Sequence, residues 1–361
     1  MDNYYVLILA GGGGTRLWPK SRKDTPKQLL PLIDERSMFQ MTVERVSSLF
    51  PPEHIYISTG RSYVDGMQAD VPAIPQENFI VEPSGRDSAA AAGLSLAVIQ
   101  QRDPKATIAM LSVDHYIEKE DVFLDVLKAA YEVAQKQYIV TLGITPTFPS
   151  TAFGYIQRGT IPADAGGFQY YDAIRFAEKP DQVKATRFVN SGNYSWNAGM
   201  FIWRAEDAMN EFERQQPEMY ALFNRLQKTV DTDKYESTLD EIWADIPKKS
   251  LDYAIMENAE KMAIIPTELG WSDVGTWKSL YEVLPQDKLG NAFKGHEEDN
   301  HLMLDTQNTF VFSPRMTVLI GVEDLIVVES DDVLLICHQD RSQDVKKIVN
   351  YLKENDKTDY L

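Results

Sequence analysis

The first apolar run of the chain, Tyr4-Tyr5-Val6-Leu7-Ile8-Leu9, carries no charged position, the pattern of a parallel strand buried on both faces. Similar runs then alternate with longer segments of helical period. Met38 to Leu49 predicts an amphipathic helix and His54 to Ser58 a strand. The alanine-rich stretch Ser88 to Gln100 predicts a helix, followed by an apolar strand from Thr107 to Val113. Asp121 to Lys136 predicts another helix and Tyr138 to Leu142 another strand. Repeated strand-helix-strand units imply an α/β fold, a parallel sheet with helices on both faces whose ligands bind at the carboxyl ends of its strands. From about Phe201 to Asn258 the pattern is mostly helical, and from Asn291 it changes character. Short apolar runs recur at 302–304, 309–312, 317–320, 325–328 and 333–336, separated by turn residues. They predict a small stacked-strand domain or partial β-solenoid closed by a helix over Ser342 to Glu354, and their regular spacing also fits a small sandwich.

The first strand empties into Gly11-Gly12-Gly13-Gly14, and glycines let backbone amides turn inward and approach phosphate oxygens closely. Arg16 follows at once, with Lys20 and Lys27 on the polar stretch beyond, mobile cations that suit a triphosphate. A Walker loop would need Gly-Lys-Ser/Thr where Gly14-Thr15-Arg16 stands. A dinucleotide fingerprint would lead straight into a helix, whereas Pro19, Pro26 and Pro31 keep this segment a long loop.

The run Gly11-Gly12-Gly13-Gly14-Thr15-Arg16-Leu17-Trp18-Pro19, closed by Pro26-Lys27, resembles the activation loop of sugar-1-phosphate nucleotidylyltransferases. The form Thr15-Arg16-Leu17-Trp18-Pro19 with Pro26-Lys27-Gln28 is similar to the mannose-1-phosphate guanylyltransferase branch, and the likeness continues down most of the chain. The resemblance implies a Rossmann-like nucleotidyltransferase domain with a mixed, mostly parallel sheet over residues 1–285. It implies a small β-helix-like module with a terminal helix over 286–361. Gly11 to Gly14, Thr15 and Arg16 are then expected at the nucleotide.

Composition narrows the partners. Lys and Arg total 36 against 54 Asp and Glu, a net charge of -18 over 361 residues, which argues against a nucleic-acid groove or an anionic membrane surface. No apolar stretch is long enough to span a bilayer, and the N-terminus enters a strand rather than a signal peptide. Cys337 is the only cysteine, so intrachain disulfides and cysteine zinc clusters are excluded and a reducing cytoplasm is the expected compartment.

A second site lies in Ser112-Val113-Asp114-His115, at a strand's carboxyl end on the side of the glycine loop. Asp114 there either ligates Mg2+ on phosphate oxygens or caps a turn. Asp273, in Gly270-Trp271-Ser272-Asp273-Val274-Gly275-Thr276-Trp277, supplies a partner carboxylate, and the resemblance implies that Asp114 and Asp273 carry the metal, with His115 in support. A third segment, Glu82-Pro83-Ser84-Gly85-Arg86-Asp87-Ser88, is expected at the base through Glu82, Ser84, Arg86, Asp87 and Ser88. The family usually has Arg-Asn-Thr where this chain has Arg86-Asp87-Ser88. Asp87 could accept the N1 and N2 protons of guanine or serve the N-terminus of the alanine-rich helix. The choice of guanine therefore rests on the resemblance. Lys20, where the family often has Leu, adds charge near the phosphates.

A hexose phosphate needs a carboxylate and an amide for hydroxyls and a cation for phosphate. Phe153-Gly154-Tyr155-Ile156, Phe176-Ala177-Glu178-Lys179-Pro180 and Trp196-Asn197-Ala198-Gly199 offer these pieces in the family's order. The resemblance assigns Glu178 and Asn197 to mannose, Lys179 to its phosphate, and Gly154 with Tyr155 to a close approach of backbone. It implies the substrates GTP and mannose 1-phosphate, the products GDP-mannose and pyrophosphate, and Mg2+ as cofactor. Mannose 1-phosphate is already an anion, so its oxygen attacks the α-phosphorus without a general base, while Arg16 and Lys27 stabilise the charge that develops. Two rivals share the motifs: transfer of another nucleotide or to another sugar 1-phosphate, and a non-catalytic nucleotide-sugar sensor, which would have little need for Arg16, Lys27, Asp114 and Asp273 together. Larger family members append an isomerase domain; with the sequence ending at Leu361, no isomerase activity is expected. By family analogy the small C-terminal module offers a homodimer surface.

Overall fold

The all-apolar run Tyr4–Leu9 lies inside a ten-stranded sheet, paired in parallel with Ile55–Gly60 on one side and Thr107–Ser112 on the other. The sheet runs, in order, Phe79–Glu82, Ile55–Gly60, Tyr4–Leu9, Thr107–Ser112, Tyr194–Arg204, Ile139–Ile144, Met262–Thr267, Phe168–Ala177 and Gly154–Arg158, with Ala163–Ala165 added on Phe168–Ala177. The first four strands are mutually parallel, and Tyr194–Arg204 is antiparallel to both of its long neighbours. The sheet is thus mixed but mostly parallel, in a computed structural model that describes residues 1–295 and 301–361. Chain order reverses between Tyr4–Leu9 and Thr107–Ser112, whose ends lie side by side with Leu9 opposite Ser112. That reversal is the switch point at which open α/β sheets take ligands.

The sheet belongs to the first of two units, built from Met1–Gly11, Val43–Val113 and Ile117–Trp271. Its central helix, Ser88–Arg102, is buried continuously from Ala89 to Ile99. Small alanines let it sit in a core with Ile108, Met110 and Trp203 of the sheet and with Phe212 and Phe223 of the helices Ala205–Gln215 and Pro217–Gln227. A helix apolar on every side is a core helix, and the polar side chain within the buried stretch, Ser95, is satisfied by donating to the Ala91 carbonyl at 2.7 Å.

Two expectations shift. Residues 201–204 are strand rather than the start of the helical region, because Met200-Phe201-Ile202-Trp203 is buried on both faces between neighbouring strands. A short apolar run of this kind has no period that separates helix from strand. Met262–Thr267 is a strand that the pattern hides, since Pro266 stands inside it and proline normally argues against a central strand.

The second unit comprises Gly12–Thr42, Asp114–Tyr116 and Ser272–Leu361. Ala292–Lys294, Phe310–Phe312 and Leu325–Glu329 form one parallel ladder, with Leu334–His338 antiparallel at its edge. His301–Leu304 and Thr317–Ile320 form a second parallel ladder. Parallel ladders joined by short turns are the stacked coils of a β-helix, so the sandwich alternative is set aside. Helix Val345–Glu354 closes the unit, burying Val345, Val349 and Leu352. These three share a core with Phe310, Ile326 and Val328 of the coils, with Trp277, and with Leu17 and Trp18 of the glycine loop.

Candidate active site

The glycine loop is indeed a loop, interrupted only by single helical turns at Thr15–Leu17 and Lys27–Leu29. Gly14 stands at φ 57°, in the left-handed region, and a Cβ there would overlap the Lys27 side chain, so glycine is needed both for the turn and for the close passage of Lys27. The turn is fastened by the Leu17 amide and the Ser21 hydroxyl, both donating to the Gly14 carbonyl at 2.9 and 2.7 Å. Leu17 and Trp18 plug the loop into the core of the second unit. The Trp277 indole donates to the Trp18 carbonyl at 2.9 Å, and the Trp18 indole donates to the Tyr360 carbonyl at 2.7 Å. Trp277 itself opens the helix Trp277–Val283, started by a reciprocal cap between Thr276 and Ser279.

This anchoring fixes Lys27. Its side chain is buried, and its ammonium donates to Asp114 Oδ2 at 2.9 Å and to the Asp273 carbonyl at 3.1 Å. The expected partners thus meet around one cation, but Lys27 is held rather than mobile. Asp273 sits in a tight turn in which its Oδ1 accepts the Gly275 amide at 3.3 Å, and Val274 beside it has φ 37°. A β-branched residue in that region is strained, a feature that concentrates at functional sites. Arg16 contrasts with Lys27: it is exposed and, among the described residues, makes no side-chain hydrogen bond or ion pair. Lys20 is turned from the glycines onto the Phe312 ring, 4.6 Å from its centre, and burial lowers its pKa. His115 is buried beside Asp114.

In the first unit, Glu82 ends its strand buried, with Oε1 3.6 Å from where a Cβ on Gly11 would stand. Burial pushes its carboxyl up to about 7, opposed by the Ser58 hydroxyl at 3.4 Å and reinforced by Asp87. The following loop is tied down by its own polar groups. Ser84 accepts the Trp243 indole N–H on its carbonyl at 2.8 Å, Arg86 donates to the Ile246 carbonyl at 3.0 Å, and the Ser88 hydroxyl accepts the Leu251 amide at 2.8 Å. Asp87 caps the helix through the Ser88 amide at 2.8 Å and does so at φ 68°, an uncommon conformation for a residue with a side chain. The capping reading of Asp87 is therefore realised.

Strand register assembles the hexose-phosphate candidates. Gly154 lies opposite Asn197 on one side, and on the other Tyr155 pairs with Ala177, the residue before Glu178. A side chain on Gly154 would collide with the Glu178 carboxylate. Tyr155 is buried with its hydroxyl donating to the Ser150 carbonyl at 2.9 Å, so only its backbone faces the site. Lys179 donates to Glu178 Oε1 at 2.6 Å; burial opposes its charge, yet Glu178 and Asp252 hold its pKa above the ordinary lysine value. Asn197 is fixed at both ends, its Oδ1 accepting the Gly199 amide at 3.0 Å and its Nδ2 donating to Asp252 Oδ1 at 2.9 Å. Asp252 is the residue that sequence reasoning missed. It sits in the first turn of the short helix Leu251–Ala254 after the capping Ser250, a setting that looks like ordinary helix-start chemistry.

A glycine loop with a buried lysine, two aspartates and a doubly wound sheet defines a nucleotidyl transferase, and residues 5–289 match the family model described as nucleotidyl transferase. Residues 299–352 match the model described as a MannoseP isomerase/GMP-like beta-helix domain. The mannose-1-phosphate guanylyltransferase of Escherichia coli is 35% identical over 357 residues, covering 98% of this chain and 75% of the relative. Mannose-1-phosphate guanylyltransferase RfbM of Salmonella typhimurium is 36% identical over 364 residues, covering 99% of this chain and 74% of the relative. A Thermus thermophilus crystal structure, described as a mannose-1-phosphate geranyltransferase, superposes with a TM-score of 0.88 at 31% identity, covering 97% of this chain and 99% of that one. The chain belongs to the nucleotidyl transferase family, in its mannose-1-phosphate guanylyltransferase branch.

Proposed function

We propose that this protein transfers GMP from GTP to mannose 1-phosphate, releasing pyrophosphate and forming GDP-mannose. The observation that carries the reading is the buried Lys27 ammonium held between Asp114 and the Asp273 carbonyl at the foot of the glycine loop. The reaction joins two anions, so the barrier is repulsion and alignment rather than proton removal. Lys27 and Arg16 neutralise charge at the α-phosphate, Lys27 from a fixed position and Arg16 from an unpaired one. Backbone amides of Gly11 to Gly14 and Thr15 take phosphate oxygens, and Glu82, Ser84, Arg86, Asp87 and Ser88 form the base side. Glu178 and Asn197 take mannose hydroxyls, Lys179 its phosphate, and the backbone of Gly154 and Tyr155 the ring.

The family's divalent cation we assign as Mg2+, on Asp114 and Asp273. Among the described residues no group of three or more His, Cys, Asp or Glu is placed to hold a metal unaided. Asp114 Oδ2 and the Asp273 backbone carbonyl meet at one ammonium, the Asp273 carboxylate lies in the adjoining turn against the Gly275 amide, and Mg2+ is commonly held by one or two carboxylates together with substrate phosphates. When present, the ion neutralises phosphate charge.

In domain terms, we assign the transfer to residues 1–285 and the stacked-strand module to 286–361. Leu302 and Leu304 pair with Val318 and Ile320 on the second ladder, and all four are exposed, which supports a homodimer through this face. No described helix is long and apolar enough to cross a membrane. The single cysteine and the acidic balance support a cytoplasmic enzyme without nucleic-acid or membrane partners. The test is pyrophosphate release with GTP, ATP, UTP and dTTP against mannose and glucose 1-phosphates, with Mg2+ and after chelation. The highest efficiency is expected with GTP, mannose 1-phosphate and Mg2+. Preference for another nucleotide or sugar would redirect the assignment, and no release with any pair would favour a sensor.

A further inference from the structure

We propose that Asp252 is a positioning and specificity residue for the hexose 1-phosphate, holding the Asn197 amide on one side and presenting its second carboxylate oxygen to a sugar hydroxyl on the other. The inference rests on the hexose site proposed above. Its starting point is an excess of acceptors. Glu178 and Asp252 bring two carboxylates together around the single Lys179 ammonium, and the Glu178 side chain is only 6% exposed. Carboxylates taken out of water need donors for their lone pairs. Lys179 serves Glu178 Oε1 and Asn197 serves Asp252 Oδ1. Among the described residues no other side chain donates to either group.

The missing donors have the chemistry of a hexose, whose hydroxyls can each give one hydrogen bond and accept others. Gly154 leaves the adjoining space clear of a side chain, since a Cβ there would strike Glu178. Asn197 keeps one Nδ2 proton beyond the one given to Asp252, and the Asp252 bond directs it. The amide would otherwise be able to turn over and exchange its oxygen and nitrogen, so Asp252 selects the orientation in which Asn197 Oδ1 meets the Gly199 amide. A carboxylate that both orients an amide and accepts a hydroxyl discriminates between hexoses that differ in one hydroxyl's direction.

The electrostatic setting agrees with this geometry. Burial, then the Glu178 carboxylate, push Asp252 up to about 6, against the Asn197 hydrogen bond, a hydrogen bond from its own backbone amide and the Lys179 charge. Tyr253 neighbours it on the same short helix and also faces Lys179. Free Asp252 is therefore partly protonated near pH 6, whereas a hydroxyl donor requires the carboxylate form. Use of the sugar should improve as pH rises through 6. The phosphate of the substrate also titrates near 6, so the informative quantity is the difference between wild type and variant.

The experiment compares Asp252→Asn and Asp252→Glu with wild type. KM and kcat are measured for mannose and glucose 1-phosphates and for GTP between pH 5 and 8. Asp252→Asn is expected to raise KM for mannose 1-phosphate roughly tenfold, reduce the preference between the two sugars, leave KM for GTP within about twofold, and flatten the part of the pH rise that the substrate does not account for. Asp252→Glu retains that part of the rise. Unchanged KM and sugar preference in Asp252→Asn overturns the inference, as does an equal loss on both substrates or failure of both variants to fold, which would mark a structural residue. Glu178→Gln and Asn197→Ala run alongside. If these also leave sugar use intact, the hexose site itself is misplaced; if they impair it while Asp252→Asn does not, only the role of Asp252 falls.

Discussion

Lys27 and Lys179 each pair with a carboxylate, but the protein builds the two pairs in opposite ways. Lys27 is buried at the start of a single helical turn on an otherwise irregular loop, and its position derives from distant side-chain anchors: Leu17 and Trp18 in the core, the Trp277 bond to the Trp18 carbonyl, and the missing Cβ of Gly14. Lys179 is 57% exposed, and its pair with Glu178 stands at the end of a strand whose register places it. The first pair is rigid and fits a task in which charge must be met at a fixed point. The second keeps its ammonium exposed beside Glu178, where the proposed mechanism has it meet the phosphate of the sugar. A loop can therefore be the more exact element when its anchors are buried, while a sheet can carry the more adaptable cation.

The contrast is broken most severely at the loop. Arg16→Ala and Lys27→Ala should each lower turnover on the order of 100-fold or more, because each removes charge that the proposed mechanism brings to the transition state. Their stabilities should differ. Lys27→Ala removes the buried ammonium that joins Asp114 to the Asp273 carbonyl and should cost up to about 3 kcal/mol, whereas exposed Arg16 should stay within about 0.5 kcal/mol of wild type. Denaturant unfolding beside turnover measurements checks both, and equal stability in the two variants would remove the distinction between fixed and free cations.

A smaller effect sharpens the electrostatics of the first unit. Glu82 titrates near 4.5 when unfolded but is held at about 7 by burial, so the folded chain keeps a proton across that window which the unfolded chain has lost. Its contribution to stability is full below pH 4.5 and declines as the pH rises to 7, by up to about 3 kcal/mol. Glu82→Gln should abolish this decline. Relative to wild type it should be more stable at pH 8 than at pH 5, as unfolding midpoints at the two pH values would show. Parallel pH dependence in the two proteins would mean that the Glu82 carboxyl is not held protonated.

How much of this was legible in the sequence follows the same contrast. The parallel ladder around Tyr4–Leu9 and the coils from Phe310 onward follow from short apolar runs, because a buried strand states its environment in its own residues. The strand Met262–Thr267 was hidden by Pro266, and residues 201–204 by a run with no period. Arg16, Lys27, Asp114 and Asp273 are candidates by residue type and motif, but nothing local indicates that Lys27 is held between Asp114 and the Asp273 carbonyl. That property comes from Trp18 and Trp277, whose indoles were read only as part of motifs. Asp252 was invisible for a related reason. Its partners Asn197 and Glu178 are brought to it by register and chain crossing, and its own segment displays only a helix start.

The most direct test of the account is the kinetic effect of Glu178→Gln on each substrate. If the register-built site holds mannose 1-phosphate, catalytic efficiency with that sugar should fall roughly ten- to a hundredfold while KM for GTP stays within about twofold. A purely structural ion pair between the buried Glu178 carboxylate and Lys179 would alter neither substrate selectively. Unchanged efficiency with mannose 1-phosphate, or an equal loss on GTP, would contradict the account.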